Sequence, residues 1–285
     1  MSRSDKTTDR LCPVCSAPSQ QQCNRDAGKE CQWPFYEPHP QQTERHVVAL
    51  SGGKDSTAMA LMLAEREPRN YLYLCTPTGD EPDEMFAHWR KLGELLGSPV
   101  VPLMRPGGLD RVIAEQKMLP NFRARFCTRI LKIEPYRAWL TQNTPCTSYV
   151  GLRADEEGRA GGAYSDIPGV SMRFPLREWG MNEADVWACL DAKGVAIPRR
   201  TDCKRCYHQR IGEWFLFWEE DKKGWMHGEN QEIAMGATFR SPGRDTWPVS
   251  MKGLREAFEG GRIPKSVERE KSRYREAGAC RVCTL

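Results

Sequence analysis

Leu50-Ser51-Gly52-Gly53-Lys54-Asp55-Ser56-Thr57 follows the apolar run His46-Val47-Val48-Ala49 and leads into Ala58-Met59-Ala60-Leu61-Met62-Leu63. A β-branched run, a paired-glycine turn and a stretch of apolar helix formers read as strand, tight loop and helix. Glycine lets the backbone come close to a ligand, and free N–H groups at a helix start supply donors and the positive end of a dipole. The stretch therefore predicts a phosphate cradle. It is not a Walker A loop: Val48 stands where that loop needs its first glycine, and Asp55 follows Lys54 where Ser or Thr belongs. It is not the dinucleotide pattern either, because its glycines are adjacent and no third one follows.

Working outward, the pattern alternates. Tyr71-Leu72-Tyr73-Leu74-Cys75 reads as a second strand, and Asp83 to Leu96 as a helix with Met85, Trp89, Leu92 and Leu96 on one stripe. Val100 to Leu103 gives a third short strand, and Ser148 to Leu152 a further one. This order predicts an α/β fold, a parallel sheet with helices on both faces in a Rossmann-like arrangement. In such sheets ligands bind beyond the carboxyl ends of the strands, where the glycine loop falls.

The chain has 285 residues, 39% hydrophobic and 28% charged, which is enough for a substantial core under a polar surface. No apolar run approaches the roughly 20 residues of a membrane-spanning helix, and the first residues lack a signal-peptide core. A cytoplasmic protein with no membrane partner is expected. A net charge of +4 permits an anionic substrate without demanding nucleic acid. The twelve cysteines are more informative: in a reducing compartment, C-x-x-C pairs point to metal ligands or redox thiols before structural disulfides.

Three regions are expected. Residues 1–44 are a Cys-rich segment and linker in which Cys12, Cys15, Cys23 and Cys31 offer a tetrahedral thiolate set for a second Zn²⁺. Residues 45–200 carry nucleotide binding. Residues 201–285 form a Cys- and Trp-rich, mainly helical region, with helices expected at Met251–Glu259 and Ser266–Ala277. There the stripe Ile211, Trp214, Phe215 and Trp218 reads as helix core rather than as a platform for stacked bases.

Ser51-Gly52-Gly53-Lys54-Asp55-Ser56 resembles the SGGxDS loop of PP-loop ATP pyrophosphatases, which cleave ATP between its α and β phosphates. Thr78-Gly79-Asp80-Glu81 is similar to a nucleotide-lining stretch of the phosphoadenosine phosphosulfate (PAPS) reductase branch. Arg153-Ala154-Asp155-Glu156-Glu157-Gly158-Arg159 resembles that branch's arginine loop, with Glu157 in place of its Ser. Pro175-Leu176-Arg177-Glu178-Trp179 with Asp185-Val186-Trp187 resembles its structural signature, Asn182 serving as a helix cap. The resemblance implies an ATP site of Ser51, Gly52, Gly53, Lys54, Asp55, Ser56, Asp80, Arg153 and Arg159. In it Lys54 would neutralise the leaving pyrophosphate and Asp55 would position Mg²⁺ or water.

Cys127-Thr128-Arg129-Ile130-Leu131-Lys132 resembles the segment that supplies cluster ligands in iron–sulfur members, and Cys203-Lys204-Arg205-Cys206 falls where they place a second pair. The resemblance implies that Cys127, Cys203 and Cys206 meet on one centre, with Cys283 a candidate fourth ligand. A [4Fe–4S] cluster is favoured; Zn²⁺, a redox disulfide and free thiols remain alternatives. Arg123, Arg125, Arg129 and Lys132 crowd the same segment, as helix-surface charge or as a polyphosphate's neighbours.

The function implied is adenylylation of a substrate by ATP, followed by iron–sulfur-assisted sulfur transfer to a nucleic acid or nucleotide. This resembles tRNA thiolation and DNA phosphorothioation enzymes, with a sulfur-donor protein as a further partner. One alternative is reduction of PAPS or adenylylsulfate with Cys280 or Cys283 as nucleophile. Against it, those reductases characteristically have a degenerate glycine loop. A third reading is a zinc-stapled nucleic-acid binder without ATP turnover.

Overall fold

Five short strands rich in β-branched and aromatic residues set the architecture. In a computed structural model that describes residues 44–159 and 164–272, they are β1 (Arg45–Ala49), β2 (Tyr71–Cys75), β3 (Val100–Pro102), β4 (Cys146–Tyr149) and β5 (Val170–Arg173). All neighbours are parallel, in the order β3-β2-β1-β4-β5. His46 pairs with Tyr71 on one side and Thr147 on the other. The expected α/β sheet is therefore present. The third strand ends at Pro102 rather than Leu103, and the fourth spans Cys146–Tyr149, so Val150 to Leu152 already belong to the loop beyond it.

The helices are α1 (Lys54–Arg66), α2 (Asp83–Leu95), α3 (Gly108–Gln116), α4 (Phe126–Thr128), α5 (Glu134–Gln142), α6 (Pro175–Glu178), α7 (Glu183–Ala192), α8 (Ile211–Glu220), α9 (Lys222–Met235), α10 (Met251–Glu259) and α11 (Val267–Lys271). A π-helical stretch, Arg129–Ile133, joins α4 to α5. Strand side chains alternate between faces. Val48, Tyr73 and Tyr149 pack with Met59, Leu63 and Leu190 of α1 and α7 on one face; Val47, Ala49 and Leu74 pack with Tyr136 and Leu140 of α5 on the other. Residues Lys54 through Leu63 of α1 are all buried, which explains why that helix lacks a polar face.

A further core gathers Leu109 and Val112 of α3, Phe126 of α4, Trp214 of α8, Trp225 of α9 and Phe258 of α10. Trp214 and Trp225 are fully buried, so this aromatic stripe is helix core as expected. The described residues from Arg45 onward form one compact unit, and the cysteine-bearing loop 201–210 is part of it. The expected helix over Ser266–Ala277 is seen as Val267–Lys271, with Arg273 onward outside the described residues. No helix among the described residues is long and apolar enough to cross a membrane.

Candidate active site

The strand order reverses between β1 and β4, and the loops leaving those two strands face each other across the resulting crevice. After β1, the glycine pair turns the chain into α1. Gly52 has φ +85°, a conformation that side chains resist, and a Cβ there would lie 2.7 Å from Trp89 Nε1 and 2.8 Å from Met85 Cε. Trp89 donates its indole N–H to the Ser51 carbonyl at 3.2 Å. Ser51 and Ser56 share a hydroxyl contact of 2.9 Å across the turn, and the Gly53 amide donates to Ser51 Oγ at 3.3 Å. No side chain caps α1. Its first N–H groups are thus left to whatever anion enters the loop.

After β4, Gly151 lies against the start of α1: a Cβ there would come 3.0 Å from the Ser56 amide nitrogen and 3.1 Å from the Asp55 carbonyl carbon. The loop then delivers Arg153, whose Nη1 donates to Asp55 Oδ1 at 3.0 Å and whose Nε donates to Asp155 Oδ1 at 2.8 Å. Lys54 Nζ lies 3.3 Å from Asp55 Oδ2 and 3.3 Å from Glu183 Oε1 at the start of α7. Burial pushes the Asp55 carboxyl above its ordinary range, while Lys54 and Arg153 pull it down. Lys54, Asp55 and Arg153, singled out separately in the sequence, thus form one buried cluster.

Arg159 pairs with Glu156 at 2.6 Å. Arg177, read from sequence as part of a structural signature, organises the loop. Its guanidinium donates to the carbonyls of Arg153 at 3.2 Å, Glu156 at 2.6 Å and Arg159 at 2.5 Å. Asn182 caps α7 through the amides of Ala184 and Asp185, so its expected role is met.

After β2, Glu81 closes a tight loop by accepting from the Thr78 amide at 2.7 Å, the Thr78 hydroxyl at 2.8 Å and the Gly79 amide at 2.9 Å. Asp80 points instead at the C-x-x-C turn, where Arg205 donates to its Oδ1 from Nε at 2.9 Å and Nη2 at 2.7 Å. The nucleotide loop and the cysteine turn are therefore joined through the residue expected to bind ATP. Glu183, Arg177 and Arg205 were not foreseen as site residues; each acts on a partner far away in the chain, a relation that local spacing does not carry.

Two neighbouring cavities follow. One is lined by Ser51, Thr76, Glu81, Trp89, Lys132 and Tyr136, at the carboxyl ends of β1 and β2. The other is lined by Thr78, Cys127, Lys132, Cys203, Cys206 and Tyr207. Lys132, on the π-helical stretch, belongs to both walls, and such stretches are common at functional sites. Cys203 Sγ lies 3.1 Å from Thr78 Oγ1. Burial pushes the Cys206 thiol up to about 12, Cys203 well above its ordinary value and Cys127 upward. Three thiols on one cavity, Cys206 buried and Cys127 and Cys203 half-buried, are the donor chemistry that soft metals and iron–sulfur clusters take. Among the described residues, however, no group of three or more His, Cys, Asp or Glu side chains is set to hold a metal ion. Cys283, Cys280 and the N-terminal set Cys12, Cys15, Cys23 and Cys31 lie outside the described residues.

Among known protein families, the phosphoadenosine phosphosulfate reductase domain matches residues 45–201. No curated protein matches the chain. The matched segment starts with β1 and runs through the glycine loop, the arginine loop and α7, so it contains the whole strand-reversal crevice. Because it spans more than half of the sequence, the chain belongs to the phosphoadenosine phosphosulfate reductase domain family, within the PP-loop adenine nucleotide α-hydrolase-like superfamily.

Proposed function

We propose that the protein is an ATP pyrophosphatase that adenylylates a substrate oxygen and then exchanges that oxygen for sulfur on a nucleic acid or nucleotide. The observation that carries this reading is the complete SGGKDS loop, folded around an uncapped helix start with Lys54 and Asp55 buried beside Arg153. A loop that only held a nucleotide would not need this concentration of donors at a leaving pyrophosphate.

In the first step a substrate oxygen attacks the α-phosphorus. The bond to the α–β bridging oxygen breaks, and pyrophosphate leaves with that electron pair. Ser51, Ser56 and the amides of the glycine pair hold the departing phosphates, Lys54 offsets their charge, and Asp55 orients Mg²⁺ or water. In the second step hydrosulfide attacks the carbon bearing the adenylylated oxygen, and AMP leaves with that oxygen, so no net electrons are transferred. A [4Fe–4S] cluster held by Cys127, Cys203 and Cys206 would supply a binding position for the hydrosulfide; Zn²⁺ is the alternative occupant. Lys132 stands between the two cavities, where it can face the nucleotide on one side and the thiols on the other.

A second reading, reduction of a sulfonucleotide, is favoured by the family match itself. Anaerobic purification followed by iron, acid-labile sulfide and zinc analysis, with ATP and PAPS offered separately, distinguishes the two. Pyrophosphate release from ATP together with bound iron and sulfide is expected. Sulfite release from PAPS without pyrophosphate release from ATP would replace the first reading by the second.

A further inference from the structure

Residues 117–133 contain five cations, Lys117, Arg123, Arg125, Arg129 and Lys132, and not one carboxylate. Lys132 faces the two cavities, and Arg129 is paired with Glu134. Lys117 and Arg123 are exposed and form no ion pair among the described residues. Between them Phe122 is 69% exposed. A single exposed apolar residue needs no explanation in general. This one, however, is held in place. The Asn121 side-chain oxygen accepts from the amides of Arg123 at 2.9 Å and Ala124 at 3.0 Å, which fixes the turn that carries Phe122.

The ring of Phe122 meets His208 edge-on, with centroids 5.9 Å apart. His208 follows directly on Tyr207, which lines the thiol cavity, and Arg244 braces both by donating to their carbonyls at 2.9 and 3.1 Å. Pro120, two residues before Phe122, lines the same cavity. An aromatic ring fixed on a rigid turn, flanked by exposed cations, therefore stands beside the cavity that holds the three thiols.

We propose that Phe122, with Lys117 and Arg123, is the docking lip for a single-stranded nucleic acid, one unpaired base stacking on Phe122 while the flanking cations hold the phosphates. This names the substrate class of the sulfur-transfer reading and rests on it. Stacking on an aromatic face suits any base, and phosphate contacts carry no sequence information. The lip therefore selects an unpaired strand over a duplex, whose bases are already stacked on one another.

The test is fluorescence anisotropy of the full-length protein with labelled single-stranded DNA, single-stranded RNA and duplex DNA over a range of salt, with ATP binding measured in parallel. One or both single strands should bind more tightly than duplex. Phe122→Ala should weaken that binding by about 5- to 160-fold, the scale of one lost base–aromatic stack. Phe122→Trp should retain it, and Arg123→Glu or Lys117→Glu should flatten the salt dependence. ATP binding should be unchanged in the Phe122 and Lys117 variants. No single-strand binding, equal affinity for duplex, or an unaffected Phe122→Ala variant would overturn the lip. If the strand binds through Phe122 and ATP yields no pyrophosphate, the lip stands and the adenylylation reading fails.

Discussion

Arg205 and Asp80, 125 residues apart in the chain, form a buried pair in which the arginine donates from Nε, Nη2 and its own amide. Their side chains are 5% and 8% exposed. Removing one partner of a buried pair costs about 3–5 kcal/mol where the other charge is left uncompensated; here Arg205 keeps Asp110 at 2.9 Å, so the cost falls below that range. Asp80→Asn should lower stability by about 1–3 kcal/mol in urea unfolding, the scale of lost hydrogen bonds to a charged group. It should also loosen the C-x-x-C turn, read as faster maleimide labelling of Cys203 and Cys206.

Gly52→Ala places a methyl group into Trp89 and Met85 at a φ that alanine resists. The indole of Trp89 then has to give way, releasing the Ser51 carbonyl. Nucleotide affinity should fall at least about tenfold, the equivalent of about 1.4 kcal/mol. Titration calorimetry with ATP checks the affinity, and Trp fluorescence checks that the indole has moved.

Lys54 is shared between Asp55 and Glu183, and Glu183 is half exposed. In the proposed site, incoming phosphates would compete with that carboxylate for the ammonium. Glu183→Gln removes a competitor worth about 0.2–1 kcal/mol, so ATP should bind up to about fivefold more tightly. Lys54→Met removes the charge itself and should weaken ATP by roughly 10- to 100-fold, the scale of a charged hydrogen bond. Equal ATP affinity in wild type and both variants would remove Lys54 from the phosphate site.

His88 is buried on α2 beside Gly52, and burial pushes its pKa down to about 4. Below its unfolded value near 6.5 the unfolded chain takes up the proton and the folded chain does not, so stability falls as pH drops from about 6.5 toward 4. At pH 5 the loss relative to pH 7.5 is on the order of 2 kcal/mol. Glu232, raised to about 7, acts in the opposite sense, since its carboxyl holds a proton in the fold that the unfolded chain releases. Comparing His88→Gln with wild type by urea unfolding at the two pH values isolates the histidine. The variant should lose less stability on acidification.

The sheet and its loop were legible because their signals are local. The β-branched run before Ser51, the glycine pair, and the stripe Met85, Trp89, Leu92 each lie within a few residues. Lys54, Asp55 and Arg153 could be picked out singly as candidates, but the contact of Asp55 with Arg153 depends on β4 lying beside β1, and spacing along the chain does not encode that. Asp80 shows the limit more sharply. Its motif resembles a nucleotide-lining stretch, yet its carboxylate is taken by an arginine between two cysteines. The π-helical turn at Arg129–Ile133 left no mark in the periodicity, because a single wider turn shifts the helical phase only slightly.

Lys132 lines both cavities, so a ligand that displaces it in one would change what the other presents. Linkage is reciprocal: by whatever factor a ligand in the glycine-loop cavity alters affinity at the thiols, a ligand at the thiols alters affinity for the nucleotide by the same factor. In the proposed reaction, one lysine lining both cavities from a widened helical turn would let sulfur loading and nucleotide loading report on each other.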